Sequence, residues 1–507
     1  MQLYRLPYYV ALFAAALVFT TGCAKNETTD TTTTGSGSDI DSTFTTGTAE
    51  GSTETAADED DLVENATFSS TVTIDFGTSI TVTNPLEGNG VTVTTTGTDV
   101  SVTSTIAGVA YVISGTTTDG AVKIYSDNKY KVTLNGASIT NSDGPALNLQ
   151  SKKRAFIVLA DGTTSTLVDG ASYATSTEDQ KGTLFAEGQV IFSGTGTLNL
   201  TAKYKHAICS DQYVRIREGN ITVTSAVGDG IHTNDAFIAD GGTVKITSGD
   251  DGIQCEEGYI VVNDGTFVIN TAGKGIGATY DDGDETITPY VTINGGNITV
   301  TTTAGEGIES KSVLTINDGY VSVNTVDDGL NGGTAIYING GHIYSISSGN
   351  DAMDSNGTFT ITGGIVVAAG SGSPEAGIDV DARTLKITGG LVVGIGGATS
   401  GPTAAVSTVN SVIMGSGTAN KIVHIEAADG TEAMTFLAPK AFSTLLFAGS
   451  KLKSNTTYTV YTGGSVTDGS SFNGLYLSGS YTGGTSTGTT FTTSSTVTQT
   501  GGSISKG

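Results

Sequence analysis

Gly228-Asp229-Gly230-Ile231, Asp250-Asp251-Gly252-Ile253, Gly273-Lys274-Gly275-Ile276, Gly305-Glu306-Gly307-Ile308 and Asp327-Asp328-Gly329-Leu330 are five statements of one phrase. Asn350-Asp351-Ala352-Met353 and Ala376-Gly377-Ile378-Asp379 continue it, and the third residues of the first six, followed by Gly377, lie 22, 23, 32, 22, 23 and 25 positions apart. A period of about 23 residues with one insertion of about nine is the mark of a repeat protein. A second turn follows each phrase, as in Asp240-Gly241-Gly242, Asn263-Asp264-Gly265, Asn294-Gly295-Gly296, Asn317-Asp318-Gly319 and Asn339-Gly340-Gly341. Between the turns lie short β-branched runs such as Tyr290-Val291-Thr292-Ile293 and Asn297-Ile298-Thr299-Val300, which read as strands. The Asn/Asp/Gly pairs supply the left-handed backbone that a sharp corner needs. Three short strands and three corners fill one period, which is one rung of a parallel β-helix.

The whole chain agrees with an all-β solenoid. Its 507 residues include 71 Gly and only 7 Pro, and no helical period persists beyond the N-terminus. A formal net charge of −27 argues against nucleic acid and anionic membrane surfaces as partners, since both repel it. Cys209 and Cys255 fall two rungs apart and, by strand parity, on opposite faces, so no disulfide is expected between them.

Composition divides the chain. Arg5 precedes the apolar run Tyr8 to Phe19, too short to span a bilayer, and Thr20-Thr21-Gly22-Cys23 follows. Residues 1–23 resemble a bacterial lipoprotein signal peptide, with Cys23 as the acylated N-terminus. Thr20 stands where that pattern usually has Leu, which leaves ordinary secretion open. Either route takes the protein out of the cytoplasm, and lipidation places it on the outer membrane or cell surface. Residues 24–65, rich in Thr, Ser, Gly and acids, are expected to be a disordered tether. Residues 66–420 are read as the β-helix with an N-terminal β cap, and 421–507 as a C-terminal β cap and tail.

Equivalent positions of successive rungs stack about 4.8 Å apart, so the repeat alignment is also a contact map. The residue before the phrase's third position runs His206, Asp229, Asp251, Lys274, Glu306, Asp328, Asp351, Ala376. A second row runs Cys209, His232, Gln254, Gly277, Glu309, Asn331, Asp354, Asp379, and a third Asp211, Asn234, Glu256, Thr279, Lys311, Gly333, Asn356, Asp381. With Ile231, Ile253, Ile276 and Ile308 pointing inward, the last two rows point outward on one face.

Stacked carboxylates repel one another unless something compensates them. Oxygen ligands of this kind suit Ca²⁺, which takes six to eight. Two clusters are therefore expected to hold calcium: Asp229, Asp250, Asp251 and Glu256, and Glu306, Asp327, Asp328, Asp351 and Asp354. The inserted loop Tyr280 to Pro289, with Asp281, Asp282, Asp284 and Glu285, is a further candidate. The competing reading is that these are solvated turn residues, which requires only one Asp or Asn per corner. Glu309, Lys311, Tyr280, Asp379 and Asp381 are the candidates for touching a ligand laid along the face. Lys274 interrupts the column as a salt-bridging lysine or, alternatively, as a general base beside calcium, a role its acidic neighbours oppose by favouring the protonated amine. His206, His232, His342 and His424 form no motif; Tyr259 and Tyr290 fall in register.

Val112-Ile113-Ser114-Gly115, Leu134-Asn135-Gly136, Ile139-Thr140-Asn141-Ser142-Asp143-Gly144, Leu159-Ala160-Asp161-Gly162-Thr163 and the Asp-Gly-Ile rungs together resemble a bacterial family of extracellular carbohydrate-binding β-helix proteins that look like polysaccharide lyases. The similarity covers roughly residues 105–480. It implies a calcium-containing, right-handed parallel β-helix that binds plant-type or acidic polysaccharide without established catalysis. The family's calcium residues carry over to Asp229, Asp251, Asp328 and Asp351. The sequence thus supports a monomeric, lipid-anchored surface protein binding acidic, pectin-like polysaccharide through Ca²⁺. Two alternatives are a calcium-dependent lyase with Lys274 as base and a structural adhesin.

Overall fold

The β-branched runs between the corners form strands that pair with their equivalents one rung away, so hydrogen bonds run along the long axis of a parallel β-helix. A computed structural model describes residues 37–280 and 286–505. One face is a 13-stranded sheet. It includes His206–Ser210, Ile231–Thr233, Ile253–Cys255, Ile276–Ala278, Ile308–Ser310, Leu330–Gly332, Met353–Ser355 and Asp379–Val380. A second face carries Tyr213–Ile216, Ala236–Ala239, Tyr259–Val262, Tyr290–Ile293, Val313–Ile316 and Ala335–Ile338. A third carries Asn220–Ala226, Thr243–Ser248, Thr266–Thr271, Asn297–Thr302, Tyr320–Thr325 and His342–Ser347. Alternate residues of all three faces, such as Ile231, Phe237 and Val244, meet in one continuous apolar core.

The two corner types use glycine for different reasons. Gly319 and its equivalents have positive φ, 107° at Gly319, as a left-handed corner requires. Gly307 does not; a Cβ there would lie 2.1 Å from Val323 Cγ1 and 2.5 Å from the Gly329 carbonyl oxygen. The first corner needs a small residue because the next rung sits against its backbone.

Both ends are closed by antiparallel structure. Ser70–Phe76 pairs with Ile80–Thr83, and Val91–Thr96 with Asp99–Ser104, which caps the N-terminal rungs with two hairpins. At the other end Leu391–Gly396 pairs antiparallel with Thr444–Gly449. A six-stranded sheet containing Ile422–Ala427, Glu432–Leu437, Thr457–Thr462 and Thr485–Thr492 packs there through Phe436, Phe447 and Tyr458.

The tether expected over 24–65 is corrected over residues 37–65, which form an ordered strap; 24–36 lie outside the described residues. Ser38–Ile40 pairs with Gly479–Thr482 of the C-terminal region. The chain then runs back along the second face toward the N-terminal rungs. Asn339, Asn317, Asn294 and Asn263 each donate an Nδ2 hydrogen bond of 2.7–2.9 Å to the carbonyls of Glu50, Ser52, Glu54 and Thr55 in turn. The same amides bond one another up the stack, Asn339 to Asn317 and Asn317 to Asn294 at 2.8 Å each. The strap ends at buried Asp61, which accepts from the Tyr213 hydroxyl at 2.7 Å and pairs with Arg154 at 2.8 Å and Arg215 at 3.3 Å. Val261, on the outward side of this face, is 0% exposed beneath it.

Cys209 and Cys255 are both buried free thiols. No helix among the described residues is long and apolar enough to cross a membrane. Cys23 and the acids Asp281, Asp282, Asp284 and Glu285 lie outside the described residues.

Candidate functional site

The outward row of the 13-stranded face has the register its repeat alignment predicts. His232 pairs with Gln254, Gln254 with Gly277, Gly277 with Glu309, Glu309 with Asn331, Asn331 with Asp354 and Asp354 with Asp379. The corner acids beside it have a structural duty as well. Asp229 Oδ1 accepts the N–H of Asp251 at 3.0 Å, Asp251 Oδ1 that of Lys274 at 2.6 Å, and Asp328 Oδ1 that of Asp351 at 3.1 Å. Asp351 Oδ1 accepts the N–H of Ala376. One oxygen of each carboxylate therefore holds the next rung, and the other faces the column.

The first predicted calcium cluster does not gather as an oxygen site. Asp229 Oδ2 lies 2.7 Å from His232 Nδ1 and 3.2 Å from His206 Nδ1, and the two imidazoles stack with centroids 4.2 Å apart. His232 Nε2 reaches Glu256 at 3.4 Å. Burial opposes a charge on His232, but Asp229 and Glu256 outweigh it and push its pKa up to about 9. Burial likewise opposes ionisation of Asp229, while the two imidazoles hold its carboxyl well below the usual range. Asp229 and Glu256 are thus satisfied by histidines, a pairing that suits no Ca²⁺. Asp251 stands above them with its pKa raised to about 6, first by burial and then by Asp229; Asp250 is exposed at the corner. The histidine signal was present in the alignment, since His206 occupies the Asp229 position one rung earlier and His232 belongs to the outward row.

Lys274 separates this group from the next. Its Nζ lies 3.3 Å from Glu309 Oε2, and Lys311 bonds the other oxygen of the same carboxylate. Burial works against the ammonium, but Glu309, Asp251 and Glu306 together raise its pKa above the ordinary lysine value. A lysine so held is a cation at neutral pH, which fits the salt-bridging role and not that of a base. Glu309, predicted to touch ligand, is corrected to an internal partner: it is 1% exposed and is shared between the two lysines. Lys311 and Asp381 are exposed, and Tyr280 is partly exposed where the inserted loop begins.

Of the second cluster, Asp351 and Asp354 gather, joined by Asp379, while Glu306, Asp327 and Asp328 lie outside that group. Ligand oxygens of Asp351, Asp354 and Asp379 lie within 4.8 Å of one another. Asn331 Nδ2 donates to Asp328 at 3.2 Å and more weakly to Asp354 at 3.4 Å, bridging the rung below. Burial first, then the neighbouring carboxylates, push Asp328 to about 6, Asp351 to about 7 and Asp354 to about 8. Asp327 sits beside them, its Oδ1 accepting from Asn350 at 2.8 Å, and Glu306 is raised by burial and Glu309. The donor set is all oxygen and crowded with negative charge, which is the chemistry that fits a hard divalent ion. Asp379, predicted as a ligand contact, belongs to this trio.

The strap places a limit on where a polymer can lie, because it covers the second face. Tyr259 and Tyr290 stack there, ring centroids 5.0 Å apart and interplanar angle 2°, but half-buried beside it. The 13-stranded face keeps its acidic row free of the strap.

The family model described as carbohydrate-binding domain-containing protein matches residues 87–352, 281–377 and 305–467. A carbohydrate-binding domain-containing protein of Acetivibrio thermocellus is 28% identical over 118 residues, which is 22% of this chain and 41% of the relative. The match thus spans less than half of that relative's length. A solved polysaccharide lyase-like protein from C. thermocellum, as a gadolinium derivative, aligns at 25% identity with a TM-score of 0.42, covering 48% of this chain and 96% of its own. With one family match alone spanning more than half of its residues, the chain belongs to the carbohydrate-binding domain-containing protein family.

Proposed function

We propose that this protein binds an acidic polysaccharide along its 13-stranded face, with Ca²⁺ held by Asp351, Asp354 and Asp379 and supported by Asp328. The observation that carries the reading is the convergence of those three carboxylates within 4.8 Å on a rigid row. Such a trio is unfavourable unless protonated or bound to a cation. Three side chains fall short of the six to eight oxygens calcium takes, so bound ion would still accept carboxylates or hydroxyls from a glycan. The bound ion supplies the positive charge that lets an anionic polymer approach a protein of net charge −27. Lys311, exposed one rung below Gly333, adds a cation at the edge of the same surface. The lipid anchor at Cys23, placing the protein at the cell surface, belongs to the same proposal.

The test is retention on immobilised polygalacturonate, using protein that keeps the strap. Retention in calcium that is lost in chelator, and lost in Asp354→Asn, is the expected result. Equal retention in chelator removes calcium from the account, and no retention removes the acidic glycan. Unsaturated sugar in the eluate would make the protein a lyase instead.

A further inference from the structure

The row that ends in the acid trio begins under a roof. Ser101, Lys123, Asn148 and Phe185 stand in register on successive rungs, and Phe185 leads through Cys209 to His232. The segment from Gly170 to Lys181 joins Thr164–Val168 to Gly182–Ala186 by a long arch over this row, where other rungs have a tight corner. Three pins hold it. The N–H of Ala174 donates to the Asp143 carbonyl at 2.7 Å. Glu178 accepts from Lys123 Nζ at 2.7 Å and from the Tyr125 hydroxyl. Gln150 Nε2 donates to the Asp179 carbonyl at 2.8 Å.

Between this roof and the sheet lies a cavity of about 360 Å³, walled by Thr96, Ser101, Asn141, Asn148, Thr175 and Gln180 among others. Its volume is at the small end of ligand sites. Asn148 is 2% exposed, and its Oδ1 accepts from Gln150 Nε2 at 2.8 Å. Its Nδ2 is buried with no hydrogen-bond partner among the described residues. Buried donors are normally paired, so an orphan in the wall of a polar cavity points to a missing acceptor. The electrostatics select the kind of acceptor. Lys123, the cation in the wall, is already neutralised by Glu178, while Asp99 and Asp143 also line the space. An anionic ligand is repelled there, and what remains are hydroxyls and amides that both donate and accept.

We infer that this roofed cavity binds the terminal unit of a neutral glycan, with the Asn148 amide donating to a sugar hydroxyl. With the roof blocking one side, a pocket of this size takes a single chain end, whereas an open sheet face takes the middle of a chain. The site does not depend on the acid trio, which lies eight rungs away along the same row, about 38 Å at the usual strand spacing.

The experiment titrates the full-length protein, in chelator, with cellobiose, mannobiose, xylobiose, galactobiose and digalacturonate, read by saturation-transfer NMR and calorimetry. One neutral disaccharide is expected to bind, with digalacturonate silent. Asn148→Leu should weaken that binding about tenfold, the effect of losing one hydrogen bond to a buried donor. Ser101→Trp, at a partly exposed position, should fill the cavity and abolish binding while leaving the circular dichroism spectrum unchanged. Asp354→Asn should bind the sugar as the unaltered protein does. Silence from every neutral disaccharide overturns the inference, as does digalacturonate binding equally well or unaltered binding by both folded variants.

Discussion

Replacing Asp354 by Asn should stabilise the metal-free protein at alkaline pH and, in the same molecule, remove its response to calcium. Burial and the neighbouring acids carry Asp351 to about 7 and Asp354 to about 8, against 3.8 for an unperturbed Asp. Between pH 4 and 8 the native state then binds more protons here than the unfolded state does. Stability must therefore fall as pH rises through that window and be highest below it. Asp351 and Asp354 titrate as a coupled pair. A shift of about three units on one carboxyl, at 1.36 kcal/mol per unit, puts the cost at pH 8 on the order of 4 kcal/mol. Asp354 is the residue to change because its side chain makes only a long contact to Asn331, whereas Asp351 also holds the N–H of Ala376. Thermal unfolding at pH 5 and pH 8, with chelator and with calcium, reads the effect. The unaltered protein should lose several degrees of Tm from pH 5 to 8 in chelator and regain them in calcium; Asp354→Asn should show a reduced slope and little calcium increment. The reasoning fails if Asp354→Asn is less stable than the unaltered protein at pH 8 in chelator, or if calcium raises the Tm of both equally.

Other consequences follow from the packing. Asp61→Ala removes the shared partner of Arg154, Arg215 and Tyr213 at the end of the strap. Because both arginines keep other acids, the loss should be about 3 kcal/mol, the low end for a broken buried pair, measured by guanidinium denaturation. Proteolytic cleavage within residues 41–58 should quicken alongside it. Gly307→Ala places a Cβ against Val323 and the Gly329 carbonyl and should cost about 2 kcal/mol, although the equivalent corner at Ala352 tolerates that methyl group naturally. Lys274→Met should lower stability, by about 2 kcal/mol with Lys311 still facing Glu309, and leave calcium-dependent glycan retention intact; loss of retention would restore Lys274 to the binding site.

The solenoid and its acidic row were legible because a 23-residue period converts sequence alignment into spatial register: Asn331, Asp354 and Asp379 align in the repeat and pair in the sheet. What the period does not carry is how each carboxylate is satisfied. Asp229 and Asp351 hold equivalent positions, yet one meets two imidazoles and the other two further acids, because its own rung and the adjacent one supply His232 and His206 in one case and Asp354 and Asp379 in the other. The strap was illegible for a different reason. It is held mainly through its backbone carbonyls, which every sequence possesses, so a Thr/Ser-rich composition that signals disorder in isolation says nothing about docking onto an amide ladder. The trace that was present lies in the solenoid: Asn recurs at 263, 294, 317 and 339, where a turn alone accepts Asp or Thr as readily.

The three faces of this β-helix all run along its axis, and the chain distinguishes them further by what it lays over them. The strap takes the second face and buries Val261 and Arg215 beneath it. The C-terminal sheet approaches the end of the third, where Phe472 meets Tyr320 and His342 edge-on and Lys440 donates to the Ser347 carbonyl at 2.9 Å. The 13-stranded face runs along the helix axis clear of the strap, and its outward residues change character from Asn148 under the roof to the carboxylates at Asp354 and Asp379. Since strand spacing fixes the distance between those ends, a polymer engaging both would gain from the second contact only if its own length spans them, and a shorter chain would register only one. Length dependence of retention in calcium therefore separates a surface that reads a repeating polymer from one that reads isolated sugars.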